Sequence, residues 1–271
     1  MSEFKDQNCE ICPVHNTGHL KKLGINMNDF NFVVALSGNP NTGKSTVFNN
    51  LTGLRQHTGN WPGKTVTRAE GGFGYNDYKF KLVDLPGTYS LLSTSTDEEV
   101  ARNFILFGQP DVTVIVVDST RLERNLNLVI QILEITDHAV VCLNMIDEAE
   151  RYQIKIDERS LSKELGVPVI PAAARQGKGM DELLKAIYEV ATGSYICKPH
   201  RIKNISTELN VAVEKLSERI NKEFPNLQNV RWVALRLLEG DQSIIDAIRS
   251  GELENIKPGI AEPIKQELVP D

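Results

Sequence analysis

The segment from Gly38 to Ser45 constrains the fold of this chain more than any other. It reads Gly-Asn-Pro-Asn-Thr-Gly-Lys-Ser and matches the pattern G-x-x-x-x-G-K-[ST]. An apolar run from Phe32 to Leu36 precedes it, and a helix-like run from Thr46 to Leu51 follows it. In such a strand–loop–helix context the backbone N–H groups of the loop point inward and can bind phosphate oxygens. The pattern therefore predicts a P-loop nucleotide site.

The residues of this loop have roles that follow from their chemistry. Gly38 and Gly43 allow a tight backbone turn, and the helix after the loop adds a positive dipole to the phosphate site. Lys44 is expected to reach the β- and γ-phosphates, and the Ser45 hydroxyl is expected to ligate Mg²⁺. The candidate nucleotide-binding residues of this segment are Gly38, Asn39, Pro40, Asn41, Thr42, Gly43, Lys44, Ser45 and Thr46.

The composition is that of an ordinary globular protein. The chain has 271 residues, of which 41% are hydrophobic and 24% are charged. A net charge of -6 and a pI near 5.5 argue against a protein that carries nucleic acid. The sequence has a polar N-terminus, no long apolar run and four cysteines without a disulfide-like framework. These features predict a cytosolic chain without a secretory signal or a membrane span.

Strand-like and helix-like segments alternate from about residue 31 to residue 192. Strands are predicted at 32–37, 69–74, 78–84, 112–118, 139–144 and 167–171. Helices are predicted at 44–51, 97–106, 122–136, 158–164 and 180–191, and then at 205–222 and 229–249. The run from Val112 to Val117 is apolar and β-branched, as expected for a strand that is buried on both faces. The alternation predicts an α/β fold, a mostly parallel sheet flanked by helices and followed by a small all-α domain.

Two further motifs follow the P-loop in the order found in GTPases. Asp84-Leu85-Pro86-Gly87 ends the third predicted strand, where Asp84 can hold Mg²⁺ and the Gly87 N–H can meet the γ-phosphate. Asn144-Met145-Ile146-Asp147 follows a later strand and resembles the guanine-reading motif of GTPases, with Met145 in place of the usual Lys. The Asp147 carboxylate can accept hydrogen bonds from N1–H and N2–H₂ of guanine, a donor edge that adenine lacks. Together the motifs predict a P-loop GTPase of the Ras-like type.

The last base-contacting element of GTPases is a loop of S-A-x type after the final strand. The matching stretch here is Pro171-Ala172-Ala173-Ala174, which lacks the serine. Its backbone can still approach guanine O6, so we expect ordinary or weak nucleotide affinity and easy release of GDP. The resulting domain prediction is a flexible N-terminal extension at 1–30, a GTP-binding G domain at 31–194, a helical domain at 195–257 and a disordered tail at 258–271.

Several longer stretches resemble the prokaryotic ferrous iron transporter family, FeoB. His57-Thr58-Gly59-Asn60-Trp61-Pro62-Gly63-Lys64-Thr65-Val66 is similar to the first switch of that family, and Asp84 to Leu91 is similar to its second switch. Val117-Asp118 and the stretch from Leu122 to Leu126 are similar as well. The resemblance runs from about 31 to 250. It implies a cytosolic G domain that a small, GDI-like helical domain joins to a polytopic membrane region, with this chain as the soluble N-terminal portion.

The resemblance also implies roles within the first switch. Thr65 would ligate Mg²⁺ and sense the γ-phosphate, and Gly63 would contact the nucleotide. Thr88 stands where Ras-like GTPases keep a water-orienting Gln and is too short for that role, so hydrolysis should be slow without another aid. The expected catalytic residues are Asn41, Lys44, Thr65 and Gly87.

Potassium is the aid that the resemblance suggests. In potassium-activated GTPases an Asn at the position of Asn41 coordinates K⁺ beside the phosphates, and carbonyls of the first switch, here Gly59 and Trp61, complete the cage. The K⁺ charge would stabilise the transition state. The alternative is that Asn41 only braces the loop. Trp61, in a Gly/Pro-rich loop, looks exposed and is expected to act as a hydrophobic handle that senses the nucleotide state or as a simple loop anchor.

The N-terminal residues Cys9, Cys12, His15 and His19 have metal-ligand side chains at short spacing. Four such ligands can close a tetrahedral Zn²⁺ site, and the thiolates can meet Fe²⁺. The alternatives are a disordered thiol-bearing arm and redox chemistry.

The leading hypothesis is a GTP-hydrolysing domain that drives or gates Fe²⁺ uptake, with GTP or GDP, Mg²⁺ and K⁺ as ligands. It would lie at the cytoplasmic side of the inner membrane. Its partners would be the membrane region of the same protein, small accessory iron-transport proteins and a second copy of the chain, but no nucleic acid. The alternatives are a stand-alone GTPase of ribosomes or tRNA and a non-hydrolytic GTP sensor.

Overall fold

The computed structural model describes residues 13–92, 95–201, 206–225, 227 and 229–249. In this part of the chain a single sheet has the strand order β2-β3-β4-β1-β5-β6-β7. Its strands are β1 (Phe32–Gly38), β2 (Gln56–Asn60), β3 (Thr67–Tyr75), β4 (Tyr78–Asp84), β5 (Val112–Asp118), β6 (Ala139–Asn144) and β7 (Val169–Pro171). Pairing is antiparallel where β3 joins β2 and β4, and parallel from β4 through β1, β5 and β6 to β7. The mostly parallel α/β sheet predicted from the sequence is confirmed.

Helices surround this sheet and continue beyond it. They are α1 (Thr17–Lys22), α2 (Lys44–Thr52), α3 (Thr96–Asn103), α4 (Leu122–Ile135), α5 (Ile146–Arg151), α6 (Glu158–Leu165), α7 (Met180–Ala191), α8 (Thr207–Glu223), α9 (Val230–Leu238) and α10 (Gln242–Arg249). A π-helical turn, Phe104–Gly108, continues α3 directly. α2 and α7 pack against each other and against the sheet, and α4 packs on β5. Because α9 contacts both α8 and α10, these three helices form the predicted all-α domain.

The central strands position the functional edge of the sheet. β1, β5 and β6 are buried along almost their whole length, since helices cover both faces of the parallel part of the sheet. The carboxyl ends of parallel strands meet at one edge, where ligands bind in open α/β sheets. The P-loop, Asp84 and Asn144 all lie at such strand ends, after β1, β4 and β6.

The stretch from residue 13 to residue 30, which we expected to be flexible, is folded against the G domain. Leu20 is fully buried and Ile25 is 3% exposed. The buried Asp111 carboxylate accepts hydrogen bonds from the backbone N–H of Val14 at 2.6 Å and of His15 at 3.1 Å. The expectation is therefore wrong for 13–30, and local sequence does not reveal this because Asp111, the partner of Val14 and His15, lies nearly a hundred residues further along the chain. The rest of the predicted extension, 1–12, and the tail at 258–271 lie outside the described residues.

The helix predicted at 229–249 is two helices, α9 and α10. Gly240 follows α9 in a left-handed conformation, with φ of 78°, and so terminates that helix. Asp241 then caps the start of α10, because its Oδ1 accepts a hydrogen bond from the Ser243 N–H at 3.1 Å.

The β2 strand was not predicted from the sequence. All of its side chains are exposed, so it has no apolar alternation that would mark it as a strand. Its backbone pairing with β3, from Gln56 opposite Gly71 to Asn60 opposite Thr67, defines it instead.

His19 gives the packed N-terminal residues a pH-dependent stability. Its ring is buried against Phe107, with centroids 5.3 Å apart, and burial together with nearby Lys22 lowers its pKa to about 4. The unfolded chain binds this proton at the ordinary pKa, near 6.5. The free energy of unfolding should therefore fall by on the order of 2 kcal/mol as the pH drops from about 6.5 to 4. Urea denaturation of the wild-type chain and of His19→Phe across this range measures the effect; a fall of equal size in the variant would contradict it.

Candidate nucleotide-binding site

The P-loop connects β1 to α2. Neighbouring atoms lie so close to its two glycines that a residue with a side chain would clash with them. A Cβ at Gly38 would lie 2.5 Å from the Val116 carbonyl oxygen, and a Cβ at Gly43 would lie 2.4 Å from the Asn144 amide nitrogen. Gly43 also has φ of 80°, a left-handed conformation that side chains disfavour. The sequence therefore folds here into a tight loop that ends at the first turn of α2.

The residues between these glycines divide into buried and exposed ones. Asn39 and Thr42 are buried, and the Thr42 hydroxyl donates to the Asn39 carbonyl at 2.9 Å. Asn41 is exposed and adopts φ of 66°, which asparagine tolerates better than most residues. The loop is thus braced from inside, and the Asn41 side chain faces solvent at its rim.

Lys44 and Asp84 form an ion pair at the centre of the phosphate site. Burial raises the pKa of the Asp84 carboxyl, and the charge and hydrogen bond of Lys44 oppose that rise. Ser45 and Thr46 are exposed in the first turn of α2. The arrangement places one cation, one carboxylate and a hydroxyl around the helix N-terminus, the donor set expected for phosphate and Mg²⁺.

The segment after β4 is held against the P-loop. The Leu85 N–H donates to the Leu36 carbonyl at 2.9 Å, and the Thr88 N–H donates to the Gly38 carbonyl at 3.3 Å. Gly87 lies beside the loop, since a Cβ there would be 3.5 Å from the Pro40 Cα. Thr88 is only 3% exposed, so its side chain is packed rather than directed toward solvent.

Asn144 ties the P-loop to the loop that follows β7. Its amide donates to the Thr42 carbonyl at 2.9 Å, and its carbonyl oxygen accepts from the Ala174 N–H at 3.0 Å. Asn144 is 3% exposed, so this bridge is a structural brace between the P-loop and the loop that follows β7. The sequence motif alone does not reveal that role.

Asp147 lies at the rim of a small cavity beside this brace. The Gln176 side-chain amide donates to its Oδ2 at 2.8 Å. The cavity has a volume of about 140 Å³ and is lined by Gly43, Thr46, Asn144, Met145, Asp147, Glu148, Ala174 and Arg175. Ala172 and Ala173 are buried and do not line it. Gln176, Glu148 and Arg175 were missed from the sequence, where nothing sets them apart.

The first-switch residues expected to bind nucleotide or metal lie in and after β2 and do not line the cavities beside the P-loop. Gly59 pairs with Arg68 in the β2–β3 hairpin, and Thr65 is exposed in the turn that follows β2. None of Gly59, Trp61, Gly63 and Thr65 lines either cavity at the P-loop. Trp61, expected to be exposed, is only 3% exposed, because its indole packs edge-on against Phe104 at 5.5 Å. The expectation that Trp61 is exposed is therefore wrong for this structure, whereas its role, as a handle that senses the nucleotide state or as a simple loop anchor, stays a prediction.

A larger groove of about 640 Å³ opens on the outer side of the P-loop. It brings Asn41 together with Arg121 and Arg124 at the start of α4. The Arg124 guanidinium stacks over the Tyr89 ring at 4.5 Å and so connects the second switch to α4. These arginines were not singled out in the sequence, where their charges look like an ordinary solvated helix face.

The two histidines of the proposed metal cluster have other partners. His15 Nδ1 contacts Asp111 Oδ2 at 2.7 Å, and His19 packs against Phe107. Cys9 and Cys12 lie outside the described residues. Within the described part of the chain no group of at least three His, Cys, Asp or Glu side chains is placed to hold a metal ion.

The fold and the site define a P-loop nucleotide-binding domain of the Ras-like GTPase class with an all-α domain attached. The chain matches the ferrous iron transport protein B family over residues 32–187 and the FeoB cytosolic helical domain over residues 206–268. It therefore belongs to the FeoB family, and the resemblance carried by its switch motifs is confirmed.

Curated relatives are much longer than this chain. The Fe(2+) transporter FeoB of Salmonella typhimurium is 44% identical over 212 residues, which cover 77% of this chain and 27% of the relative. The Fe(2+) transporter FeoB of Escherichia coli K12 is 43% identical over the same length. The chain thus spans about a quarter of the length of these relatives, 27%. No helix within the described residues has the length and hydropathy needed to cross a membrane.

Solved structures give the same assignment. The cytosolic domain of the T. maritima FeoB iron transporter in its GMPPNP form has a TM-score of 0.72 and 35% identity, and the match covers 86% of this chain and 89% of that one. A mutant of S. thermophilus NFeoB bound to GDP has a TM-score of 0.71 and 33% identity, with coverages of 83% and 86%.

Proposed function

We propose that this chain binds guanine nucleotides, hydrolyses GTP and thereby regulates or drives Fe²⁺ uptake by a longer transporter. The observation that carries the proposal is the convergence of the P-loop, the Asp84–Gly87 turn and the Asn144–Asp147 motif at one edge of the sheet. Supporting it, the related FeoB cytosolic domains have been solved in GDP and GMPPNP forms, and the curated relatives are Fe(2+) transporters. In the longer protein this domain would lie at the cytoplasmic side of the inner membrane.

Phosphate binding would use the groups now engaged in the Lys44–Asp84 ion pair. Lys44 can turn from Asp84 to the β- and γ-phosphates, whose charge replaces that of the carboxylate. Asp84 and the exposed Ser45 hydroxyl then fit a Mg²⁺ ion beside the phosphates, with Thr65 as a further ligand once the first switch moves. Bound Mg²⁺ would neutralise charge on the phosphate oxygens. The Gly87 N–H, which lies beside the P-loop, would contact the γ-phosphate.

Base recognition would fall to the cavity beside Asn144. Met145 can cover one face of the base with its apolar side chain, and Asp147 can accept from the guanine N1–H and N2–H₂. The Ala174 N–H already donates to Asn144, so the serine-free Ala172–Ala174 loop offers little to guanine O6. This supports the prediction of modest affinity and easy GDP release.

Hydrolysis would need a positive group beyond Lys44, because the buried Thr88 does not reach the attacking water. Asn41, exposed at the loop rim, is the proposed K⁺ ligand. The Trp61 carbonyl now accepts a hydrogen bond from the Lys64 N–H at 3.0 Å, and Gly59 lies in β2. The K⁺ cage would therefore assemble only after the first switch has moved over the P-loop.

The test is GTP turnover with Mg²⁺ in matched K⁺ and Na⁺ buffers for the wild-type chain and for Asn41→Gly. Glycine keeps the left-handed backbone of Asn41 and removes only its side chain. We expect K⁺ to stimulate the wild-type rate at least about tenfold and the variant not at all, because a preorganised positive group is worth that much or more. Asn76→Gly, at a distant turn with φ of 45°, is the matched control and should keep the stimulation.

Two other outcomes are informative. Equal rates in both salts would remove the K⁺ role from Asn41 and leave the GTPase proposal standing. Tight GTP binding without turnover in either salt would contradict hydrolysis and favour a nucleotide sensor.

A further inference from the structure

Residues 13–31, here called the N-terminal segment, lie ahead of the family match, which begins at residue 32. Within this segment α1 packs on the π-helical turn Phe104–Gly108. The Asn16 N–H donates to the Gly108 carbonyl at 3.0 Å, and His19 packs against Phe107 at 5.3 Å. The segment is thus an added layer that is fixed to one side of the G domain.

The N-terminal segment also contacts the first switch through Arg68. The Arg68 guanidinium donates to the Leu23 carbonyl and, at 3.2 Å, to the Gly24 carbonyl at the end of α1. Gly24 itself lies against the first switch, since a Cβ there would be 3.5 Å from Pro62 Cγ. Both carbonyls lie at the C-terminal end of a helix, where the partial negative charge favours a cationic hydrogen-bond donor.

The same guanidinium holds Trp61 in place. Arg68 lies over the indole at 5.3 Å, and Phe104 packs against it at 5.5 Å. Phe104 begins the π-helical turn that supports α1, so Trp61 and the N-terminal segment share one support. The planar guanidinium of arginine can stack on an aromatic ring and at the same time donate hydrogen bonds to two carbonyls. The ammonium group of lysine does not reproduce this arrangement.

Holding Trp61 in this position also holds Thr65. The turn between them is closed by hydrogen bonds from the Trp61 N–H to the Val66 carbonyl and from the Lys64 N–H to the Trp61 carbonyl, both 3.0 Å. Thr65 lines neither cavity at the P-loop, so this turn would have to move for Thr65 to ligate Mg²⁺ beside the phosphates. Any contact that stabilises buried Trp61 therefore opposes the GTP-bound arrangement.

We propose that the N-terminal segment is an intramolecular clasp that retains the first switch in the position in which Trp61 is buried, with Arg68 as the positioning residue. The clasp rests on the proposed function for its consequence, since it lowers the preference for GTP over GDP. It would act without contacting the nucleotide, by stabilising one of two positions of the switch.

The experiment uses the fluorescence of Trp61 to report whether its side chain is buried. The chain has 2 tryptophans, so Trp232→Phe leaves Trp61 as the only one. In this background we would compare Arg68→Gln, Arg68→Lys and the control Lys81→Gln. Lys81 pairs with Glu70 at 2.7 Å, as Arg68 does, but its ammonium lies over Phe30 instead of Trp61. Acrylamide quenching of Trp61 and the affinities for GMPPNP and GDP are measured for each variant.

Arg68→Gln should expose Trp61 to quencher and raise the ratio of GMPPNP to GDP affinity by between about threefold and tenfold. Arg68→Lys, which keeps the charge beside Glu70, should show a smaller change of the same sign, and Lys81→Gln should show none. Unchanged Trp61 quenching in Arg68→Gln, or equal effects in the Lys81 control, would overturn the clasp. Failure of the proposed function looks different: no variant would bind nucleotide, while Trp61 would still become exposed.

Discussion

Asp147→Asn is expected to bind GDP about 100- to 1000-fold more weakly than the wild-type chain. The half-buried Asp147 carboxylate lines the cavity that we propose for the base, and the Gln176 amide donates to its Oδ2 at 2.8 Å. A hydrogen bond to a charged group contributes roughly 1.5–3 kcal/mol, and guanine can make two with this carboxylate. The Asn side chain offers a single acceptor oxygen, and its NH₂ group would face a guanine N–H. Two donors would then oppose each other where the wild-type carboxylate accepts two hydrogen bonds.

The same substitution should change which base is preferred. Xanthine carries a carbonyl oxygen where guanine carries its 2-amino group, and the Asn NH₂ can donate to that oxygen. Asp147→Asn should therefore bind xanthosine diphosphate better than GDP, which reverses the wild-type order. Calorimetric titration with GDP, xanthosine diphosphate and ADP measures this order directly.

A neighbouring acid supplies the control. Glu148 lines the same cavity, and Glu148→Gln should keep the preference for guanine. If Asp147→Asn lost affinity for all purines equally, the carboxylate would be a structural group of the loop and the assignment of base recognition to Asp147 would be wrong.

The central sheet and the phosphate-binding part of the site could be predicted because local patterns specify them. β1 and β5 are uninterrupted apolar runs, which the parallel, doubly covered part of a sheet requires. Asp84 and Asn144 end strands that lie next to β1 and β5. Once those strands are parallel, their carboxyl ends share an edge, and the motifs converge without further information.

The first switch could not be placed in this way, because its position depends on contacts that are remote in sequence. Trp61 lies in a Gly/Pro-rich loop that reads as exposed, yet Phe104 and Arg68 bury it. The partner of Arg68, the Leu23 carbonyl, is 45 residues away, and the partner of His15, Asp111, is 96 residues away. Polar composition correctly describes residues 13–31 but does not show which of their groups find buried partners.

Helix α3 connects parts of the molecule that the sequence presents as separate. Glu99 pairs with Lys64 of the first switch at 2.9 Å, and Arg102, one turn further along, pairs with Asp241 at the start of α10 at 3.1 Å. The first ion pair is partly exposed and therefore weak, whereas the second is enclosed. We therefore expect the attachment of the all-α domain to the G domain to depend strongly on the buried arginine.

Asp241→Asn should accordingly lower the free energy of unfolding by about 3 kcal/mol. The Arg102 side chain is 0% exposed, and burial lowers its pKa while Asp241 opposes that change. Removing the carboxylate charge leaves the buried guanidinium with hydrogen bonds to two neutral oxygens, those of Asn103 and Ser243, and with Glu99 as the remaining acidic group whose charge acts on it. Breaking a buried pair on one side typically costs roughly 3–5 kcal/mol, and the slight exposure of Asp241 favours the lower end. The substitution keeps an amide oxygen that can still accept from the Ser243 N–H and cap α10.

A double-mutant cycle separates this charge effect from general disruption. Arg102→Met removes the buried charge and fills most of the same volume, so Asp241→Asn should cost little in that background. Urea denaturation of the wild-type chain, both single variants and the double variant gives the coupling energy. A coupling of about 2 kcal/mol or more would mean that the two domains are joined by one enclosed ion pair. Additive losses would contradict this, because the stability of the interface would then reside in its apolar packing and α3 would not link the switch to the all-α domain through charge.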